Sequence, residues 1–287
     1  MGLCEMISLL VLLAVAIALL CYFGVRRERT QAKRLSGKLL STPAAMGAVP
    51  LVPDTSSNLP KPVERYFRLV LPRKPKRIRI VRLQQKGDLR INPSTTRWSP
   101  FGALYLATED PEGFVWDASV AVLPLIHLRV RDAFVGGIGS GNVSLMSAIP
   151  LGGERGTPEL NSGALYRYLA ESVWHPTALL PRSGLEWEAV DENRAIAHLE
   201  SFGMIASLEF RFNAIGEITG IYTEDRLGRF DGRYIKYPWE GCFGEYREID
   251  GVRIPMTGKV GWHLPEGWWL FWRGRIVSAV FTHDNKV

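Results

Sequence analysis

The feature that most restricts this chain is the shortness of its connections. From Arg77 onward, polar and apolar residues alternate in brief runs. The breaks between runs are turn sequences such as Asp191-Glu192-Asn193, Asn213-Ala214-Ile215-Gly216, Asp250-Gly251 and Pro265-Glu266-Gly267. Alternation with a period of two is the mark of a half-buried strand. Parallel strands need long crossovers, so runs joined this tightly pair antiparallel, as successive hairpins. The predicted strands are Ile78–Ile91, Phe101–Thr108, Phe114–Val120, His127–Val135 and Val143–Ile149. A second group comprises Glu186–Val190, Ala195–Leu199, Met204–Phe212, Ile218–Thr223, Tyr234–Tyr237, Gly244–Ile249, Val252–Val260 and Trp268–Phe281, the last broken at Arg273-Gly274.

One stretch between the two groups, Glu159–Pro181, has helical spacing. Leu165, Tyr168, Leu169 and Ser172 recur at i, i+3, i+4 and i+7, so one face is apolar. Asn161 or Ser162 is the expected cap, and Pro176 is expected to end the helix near His175. A helix laid across a large curved sheet closes its concave face and leaves a pocket. A shorter amphipathic helix is predicted over Pro62–Val70, with Val63, Tyr66, Phe67 and Val70 on one side.

The N-terminus obeys different rules. Ile7–Val25 is uncharged and apolar, long enough to cross a bilayer as a helix. Glu5 precedes it and Arg26, Arg27, Arg29, Lys33, Arg34 and Lys38 follow it, which is the wrong flank for a cleaved signal peptide. The expectation is a single-pass membrane anchor, its charge flank favouring a cytoplasmic domain. Residues 1–90 hold 17 Lys/Arg against 5 Asp/Glu, whereas residues 91–287 hold 18 against 24. The basicity thus belongs to the N-terminal segment, whose Arg26–Lys38 cluster meets anionic headgroups, and does not suit a nucleic-acid partner. The expected divisions are residues 1–25 as anchor, 26–62 as basic segment and Pro/Ser-rich linker, and 63–287 as one β domain with an inserted helix over 160–175.

Candidate chemistry is sparse. Glu171 and His175 share a helical face, either as a carboxylate-oriented base or as a capping histidine paired with its neighbour. Asp132 and Glu240 complete the acid/base candidates for a hydrolase. With cysteines at 4, 21 and 242 only, no cysteine-based metal site fits the main domain, and no cofactor is expected. The glycine-rich Gly136–Gly141 reads as a hairpin turn, since a strand follows where a phosphate cradle needs a helix. Tryptophans are the better clue. Trp268-Trp269-Leu270-Phe271-Trp272 puts aromatics on both faces of a strand, one of which can line a cavity. Candidate ligand-binding residues are Trp116, Tyr168, Trp174, Trp239, Trp262 and Trp272.

Several phrases resemble an uncharacterised, mostly bacterial family of membrane-anchored proteins classed as a domain of unknown function. They are Pro62-Val63-x-Arg65-Tyr66, Phe114-Val115-Trp116, Asn161-x-Gly163-x-Leu165-x-Arg167-Tyr168-Leu169-Ala170-Glu171, Trp174-x-Pro176-x-Ala178-Leu179-Leu180, Pro238-Trp239 and Trp272-Arg273-Gly274. The similarity runs from Pro62 to the C-terminus and carries no reaction with it. The order of elements also resembles the lipoprotein-carrier (LolA-like) architecture, an antiparallel half-barrel plugged by helices, whose members bind acyl chains. The resemblance implies a mainly β, α+β fold: a large curved antiparallel sheet closed by one helix and preceded by a transmembrane helix. It also implies a lipid or other hydrophobic small molecule as ligand. A membrane-anchored hydrolase and an interaction scaffold are the alternatives.

Overall fold

The computed structural model describes residues 2–41 and 59–283. Most of the expected linker, residues 42–58, lies outside the described residues. The strands divide into two arms. The first holds β1 (Ile78–Leu89), β2 (Ser99–Thr108), β3 (Gly113–Leu123), β4 (Ile126–Val135), β5 (Ile138–Leu145) and β6 (Ile149–Arg155). The second holds β7 (Leu185–Asp191), β8 (Arg194–Ser201), β9 (Met204–Phe212), β10 (Ile218–Thr223), β11 (Leu227–Phe230), β12 (Arg233–Lys236), β13 (Trp239–Ile249), β14 (Val252–Leu264) and β15 (Gly267–His283). All but β11 and β12, which form a separate hairpin, make one 13-stranded sheet in the order β6-β5-β4-β3-β2-β1-β15-β14-β13-β10-β9-β8-β7. Every pairing is antiparallel, as the short turns require, and the sheet is not closed into a barrel.

The first and last strands of the sheet's chain order, β1 and β15, join the two arms in the middle. Strands β6 and β7, which flank the inserted helix in sequence, are therefore the two outer edges. The segment between them has to cross from one edge to the other, so it passes over the face toward which the sheet curls. That segment is α3 (Pro158–Glu171), continued by 3-10 turns at Ser172–Trp174 and Pro176–Leu179. The curl brings the arms together: Phe202, in the β8–β9 turn, packs edge-on against Phe134 of β4 at 5.7 Å.

Four sequence expectations change. The cap of α3 is Thr157, whose hydroxyl accepts from the Leu160 N–H, while Asn161 accepts instead from Gly139 N–H at 2.8 Å. Pro158 in the first turn explains the earlier start, because its fixed φ suits that position. The helix ends at Glu171, and Pro176 begins the second 3-10 turn. The stretch between Val135 and Arg155 is two strands, with Gly136 and Gly137 at φ of +62° and +76° forming the tight turn. Finally β15 runs unbroken through Arg273-Gly274. Gly274 sits between Gly87 and Gly258 on the neighbouring strands, and a Cβ there would lie 2.6 Å from the Trp272 ring. The bare backbone is covered by an indole, which keeps the row in the sheet.

Helix α2 (Lys61–Val70) buries Val63, Tyr66, Phe67 and Val70 as its period predicts; Tyr66 meets Phe212 at 6.0 Å. Helix α1 (Leu3–Ser41) contains the apolar run, long and apolar enough to cross a membrane, but does not stop where that run ends. Its basic half continues along the outer face of β3 and β4. Leu39 and Leu35 pack there with Val115, Ala133 and Val135. Arg131, only 2% exposed, donates from Nη1 to Glu28 Oε2 at 2.8 Å and from Nη2 to the Glu28 carbonyl at 2.9 Å. The same Nη2 lies 3.3 Å from Asp117 Oδ1. Gly24 gives the closest approach: a Cβ would stand 2.5 Å from the Ser147 carbonyl oxygen.

Candidate functional site

Between α3 and the inner face of the sheet lies a cavity of about 360 Å³. Period-two alternation supplies most of its walls. Leu128, Val130 and Asp132 point inward from β4, and Trp239, Gly241 and Phe243 from β13. A bulge against Val260 and Gly261 inserts an extra residue in β15, so that both Phe271 and Trp272 reach the cavity although they are adjacent in sequence. Trp269 joins them, whereas Trp268 faces outward and stacks on His263 at 6.2 Å. Helix α3 contributes Arg167, Ala170 and Glu171, and Trp174 follows from the first 3-10 turn. Trp174 is held by its Nε1–H donating to the Pro255 carbonyl at 3.0 Å, and Trp116 by donating to Gln85 Oε1 at 2.9 Å. The volume is within the range usual for small apolar ligands.

The polar residues gather on one wall. Arg167 donates from Nε to Glu171 Oε1 at 2.8 Å and from Nη1 to Asp132 Oδ2 at 2.7 Å, and its guanidinium lies 4.9 Å from the Phe114 centroid and 5.2 Å from that of Trp116. Burial raises the Glu171 carboxyl, against the lowering effect of Arg167 and of the Tyr105 phenol. Arg226, just beyond β10, lies 4.4 Å from the Trp239 ring and 4.9 Å from that of Trp262. Its Nε donates to the Gly163 carbonyl at 3.3 Å, and it makes no ion pair among the described residues. Burial, reinforced by the Arg167 charge and opposed by Glu171 and Asp132, lowers its pKa to about 9. Asp132, Val143, Arg167 and Arg226 also line an adjoining cleft of about 500 Å³ toward β5, β6 and the β11–β12 hairpin.

Of the residues singled out from the sequence, Trp116, Trp174, Trp239 and Trp272 line the cavity together with Asp132 and Glu171. Trp262 lines the adjoining cleft. Tyr168 lies elsewhere, buried with its hydroxyl donating to the Thr108 carbonyl at 3.1 Å. Glu240 is on the outer face, paired with Arg211 and His263 at 2.7 Å each. His175 does not pair with Glu171. The 3-10 turn swings it to β1, where Nε2–H donates to the Ile78 carbonyl and Glu109 Oε2 stands 3.9 Å away. Glu109 is itself bound by Arg77 and by the Thr177 hydroxyl at 2.9 Å, and Arg182 joins Glu112 at 2.9 Å. This buried network pins the 3-10 turns to β1 and to the β2–β3 connection. The four acid/base candidates therefore do not share one site. Among the described residues no group of three His, Cys, Asp or Glu could hold a metal ion.

Arg167 and Arg226 escaped the sequence reading. Arg167 stands in the most distinctive motif yet looks like a surface partner for Glu171 at i+4. Arg226 follows Asp225 and looks like its ion-pair partner, but Asp225 takes Lys236 at 2.9 Å and leaves Arg226 to turn inward.

The buried His175 makes stability depend on pH. Burial lowers its pKa to about 4 from 6.5, and its Nδ1 has no hydrogen-bond partner. The unfolded chain therefore binds more protons between those values, and stability falls as pH drops through that window, by up to about 3 kcal/mol. Glu109 and Glu171, raised by burial, act in the opposite sense, so the comparison is with His175→Gln, whose amide still donates to Ile78. Denaturant unfolding at pH 7 and at pH 4.5 is expected to show wild type losing stability relative to the variant on acidification. A constant difference between the two would mean that His175 is charged or solvated in the fold.

Residues 57–281 match the family described as Family of unknown function (DUF6920), and the chain belongs to it. The fold is similar to that of a LolA superfamily protein from Nitrosomonas europaea, with a TM-score of 0.38 and 10% identity over 76% of this chain and 90% of that one. A DUF1329 family protein from Desulfovibrio piger gives a TM-score of 0.38 and 9% identity over 71% and 86% of the two chains. A beta-barrel-like DUF1849 protein from Brucella abortus gives a TM-score of 0.23 and 8% identity over 72% and 99%. No curated protein matches the chain.

Proposed function

We propose that this is a membrane-tethered binding protein that takes the apolar part of a lipid, or of a similar amphiphile, into the cavity beneath α3. One observation carries the reading: cavity rim, exposed apolar turns and the exit of α1 all lie at the same end of the sheet. Register places them there. Leu89 pairs with both Ser99 and Trp272, Phe101 with Val120, Leu123 with Ile126, and Leu128 with Leu145. Ile91, on the rim, is half exposed, and so are Leu123, Ile149 and Leu151; Leu125 is 94% exposed. Gly24 touches the β5–β6 turn at this end, while Leu39 reaches Gly113 at the other. The apolar half of α1 therefore projects past the turns that carry these residues. Exposed apolar patches beside an apolar helix suit the bilayer interface. A domain seated this way presents its cavity to the lipid, on the cytoplasmic side if the Arg26–Lys38 flank follows the positive-inside rule.

The test uses the full chain in nanodiscs with a neutral photoactivatable monoacylglycerol, the cross-linked residues being read by mass spectrometry. Labels are expected on α1 and on cavity residues such as Phe243, Val260 and Phe271. Val143→Trp, which places an indole in the cavity, is expected to lower cavity labelling about tenfold or more while α1 labelling stays constant. Labelling of α1 with none in the cavity would end the binding reading, and an unlabelled α1 would end the membrane reading.

A further inference from the structure

We infer that the cavity's ligand is an anionic amphiphile, its single oxyacid head, carboxylate or phosphate, paired with Arg226 at the boundary between the apolar cavity and the adjoining cleft. The inference rests on the binding role proposed above and adds the polar half of the ligand. Arg226 is the reason. An arginine half-withdrawn from water among aromatic rings loses part of its hydration, a cost that a bound anion would offset. The two carboxylates on the same wall are already engaged. Asp132 Oδ2 and Glu171 Oε1 both accept from Arg167, at 2.7 Å and 2.8 Å, and neither carboxylate comes within ion-pair distance of Arg226. What remains for Arg226 is the Trp239 and Trp262 faces and one backbone carbonyl, which orient the guanidinium without neutralising it. Burial and the Arg167 charge lower its pKa, and Glu171 and Asp132, which pull it the other way from a distance, do not make up the difference.

Position supports the pairing. Arg226 is shared by the walls of the aromatic cavity and the more polar cleft beside it, as are Asp132 and Arg167. A ligand with its chain among Phe243, Val260 and Phe271 reaches that boundary with its head. A planar guanidinium meets a carboxylate or phosphate through two parallel hydrogen bonds, a geometry that a lysine does not reproduce. A neutral glycerol or sterol hydroxyl would offer the guanidinium no charged partner. The sequence neighbours of Arg226 fit this role too, since Lys236 removes Asp225 from competition.

The experiment compares two photoactivatable probes of equal chain length, a fatty acid and the neutral monoacylglycerol, in nanodiscs bearing the full chain. Cavity labelling is normalised to labelling of α1 in the same sample. Wild type is expected to favour the fatty acid about tenfold or more, the range for a hydrogen-bonded charge. Arg226→Gln is expected to abolish the preference while labelling equally with the neutral probe, and Arg226→Lys to restore part of it. The neutral probe also reports whether the variant still folds around its cavity. A lysophosphatidic acid probe compares phosphate with carboxylate, and inorganic phosphate as competitor tests whether a free anion suffices. Suppression of fatty-acid labelling by millimolar phosphate alone would reassign the site to a soluble anion and overturn the amphiphile. Equal labelling by both probes in wild type would overturn the head-group assignment and leave the binding role intact. Failure of both probes to label the cavity, with α1 labelled, would overturn the two together.

Discussion

Replacing Arg131 by Met is expected to cost about 3 kcal/mol and to release the basic half of α1 from the sheet. The cation is almost fully buried and serves three acceptors at once, the Glu28 carboxylate, the Glu28 carbonyl and Asp117. Asp117 keeps Arg129, whose Nε lies 2.7 Å from Oδ1. Glu28 keeps nothing comparable, since its other neighbour, Arg27, stands 3.6 Å away in an exposed position. The variant thus strands a carboxylate that is itself only 8% exposed. Hydrogen exchange of residues 28–41 in the full chain reads the release directly, and denaturant unfolding reads the cost. Adding Glu28→Gln to Arg131→Met is expected to recover part of the loss, because the orphaned charge is then gone. Unchanged protection of residues 28–41 would mean that the helix is held by its leucines alone. The consequence for function is geometric. On the membrane-tethered reading proposed above, the closed latch fixes α1 against the domain and so turns the cavity rim toward the bilayer. With it open, the domain hangs on a longer tether.

The second large effect concerns the cavity floor. Trp174→Ala is expected to destabilise the fold by about 3–5 kcal/mol, the usual cost of emptying a buried aromatic site. Trp174 is 3% exposed and contacts Tyr105 and Phe243 edge-on at 6.1 Å and 6.0 Å, with Trp272 tilted against it at 6.4 Å. It stands over Gly258, in the bare row that Trp272 also covers, so its removal uncovers backbone as well as rings. Trp174→Phe retains a ring and loses the bond to Pro255, and a cost near 1 kcal/mol is expected there. Thermal or denaturant unfolding of both variants separates packing from hydrogen bonding. A loss below 1 kcal/mol for the alanine variant would show that the neighbouring rings collapse into the gap and that the floor is plastic.

Much of the fold is legible because the relevant signals are local. Alternation and turn chemistry place most of the strands, and the short turns dictate antiparallel pairing. The apolar period over Leu165, Tyr168 and Leu169 marks the helix whose face is in fact buried. What could not be read is what depends on distant pairing. Nothing near Ile78 announces that β1 pairs with β15, some two hundred residues on, although that pairing makes β6 and β7 the sheet's edges and sends α3 across its inner face. Helical spacing extended past Glu171 makes His175 its partner. The 3-10 turns rotate it away. Glu240 and Trp239 are neighbours in sequence with opposite fates, one outward with Arg211 and one inward over Arg226, as a two-residue period demands once the face is known. For Arg226 a local reading actively misleads, since Asp225 is beside it.

The central claim is that the space under α3 holds an amphiphile drawn from the membrane. The most direct measurement is native mass spectrometry of the full chain, extracted gently from membranes and compared with Val143→Trp. One bound amphiphile per chain in wild type, with little or none in the variant, is the expected result. A wild-type chain as empty as the variant, or a lipid retained equally by both, would contradict it.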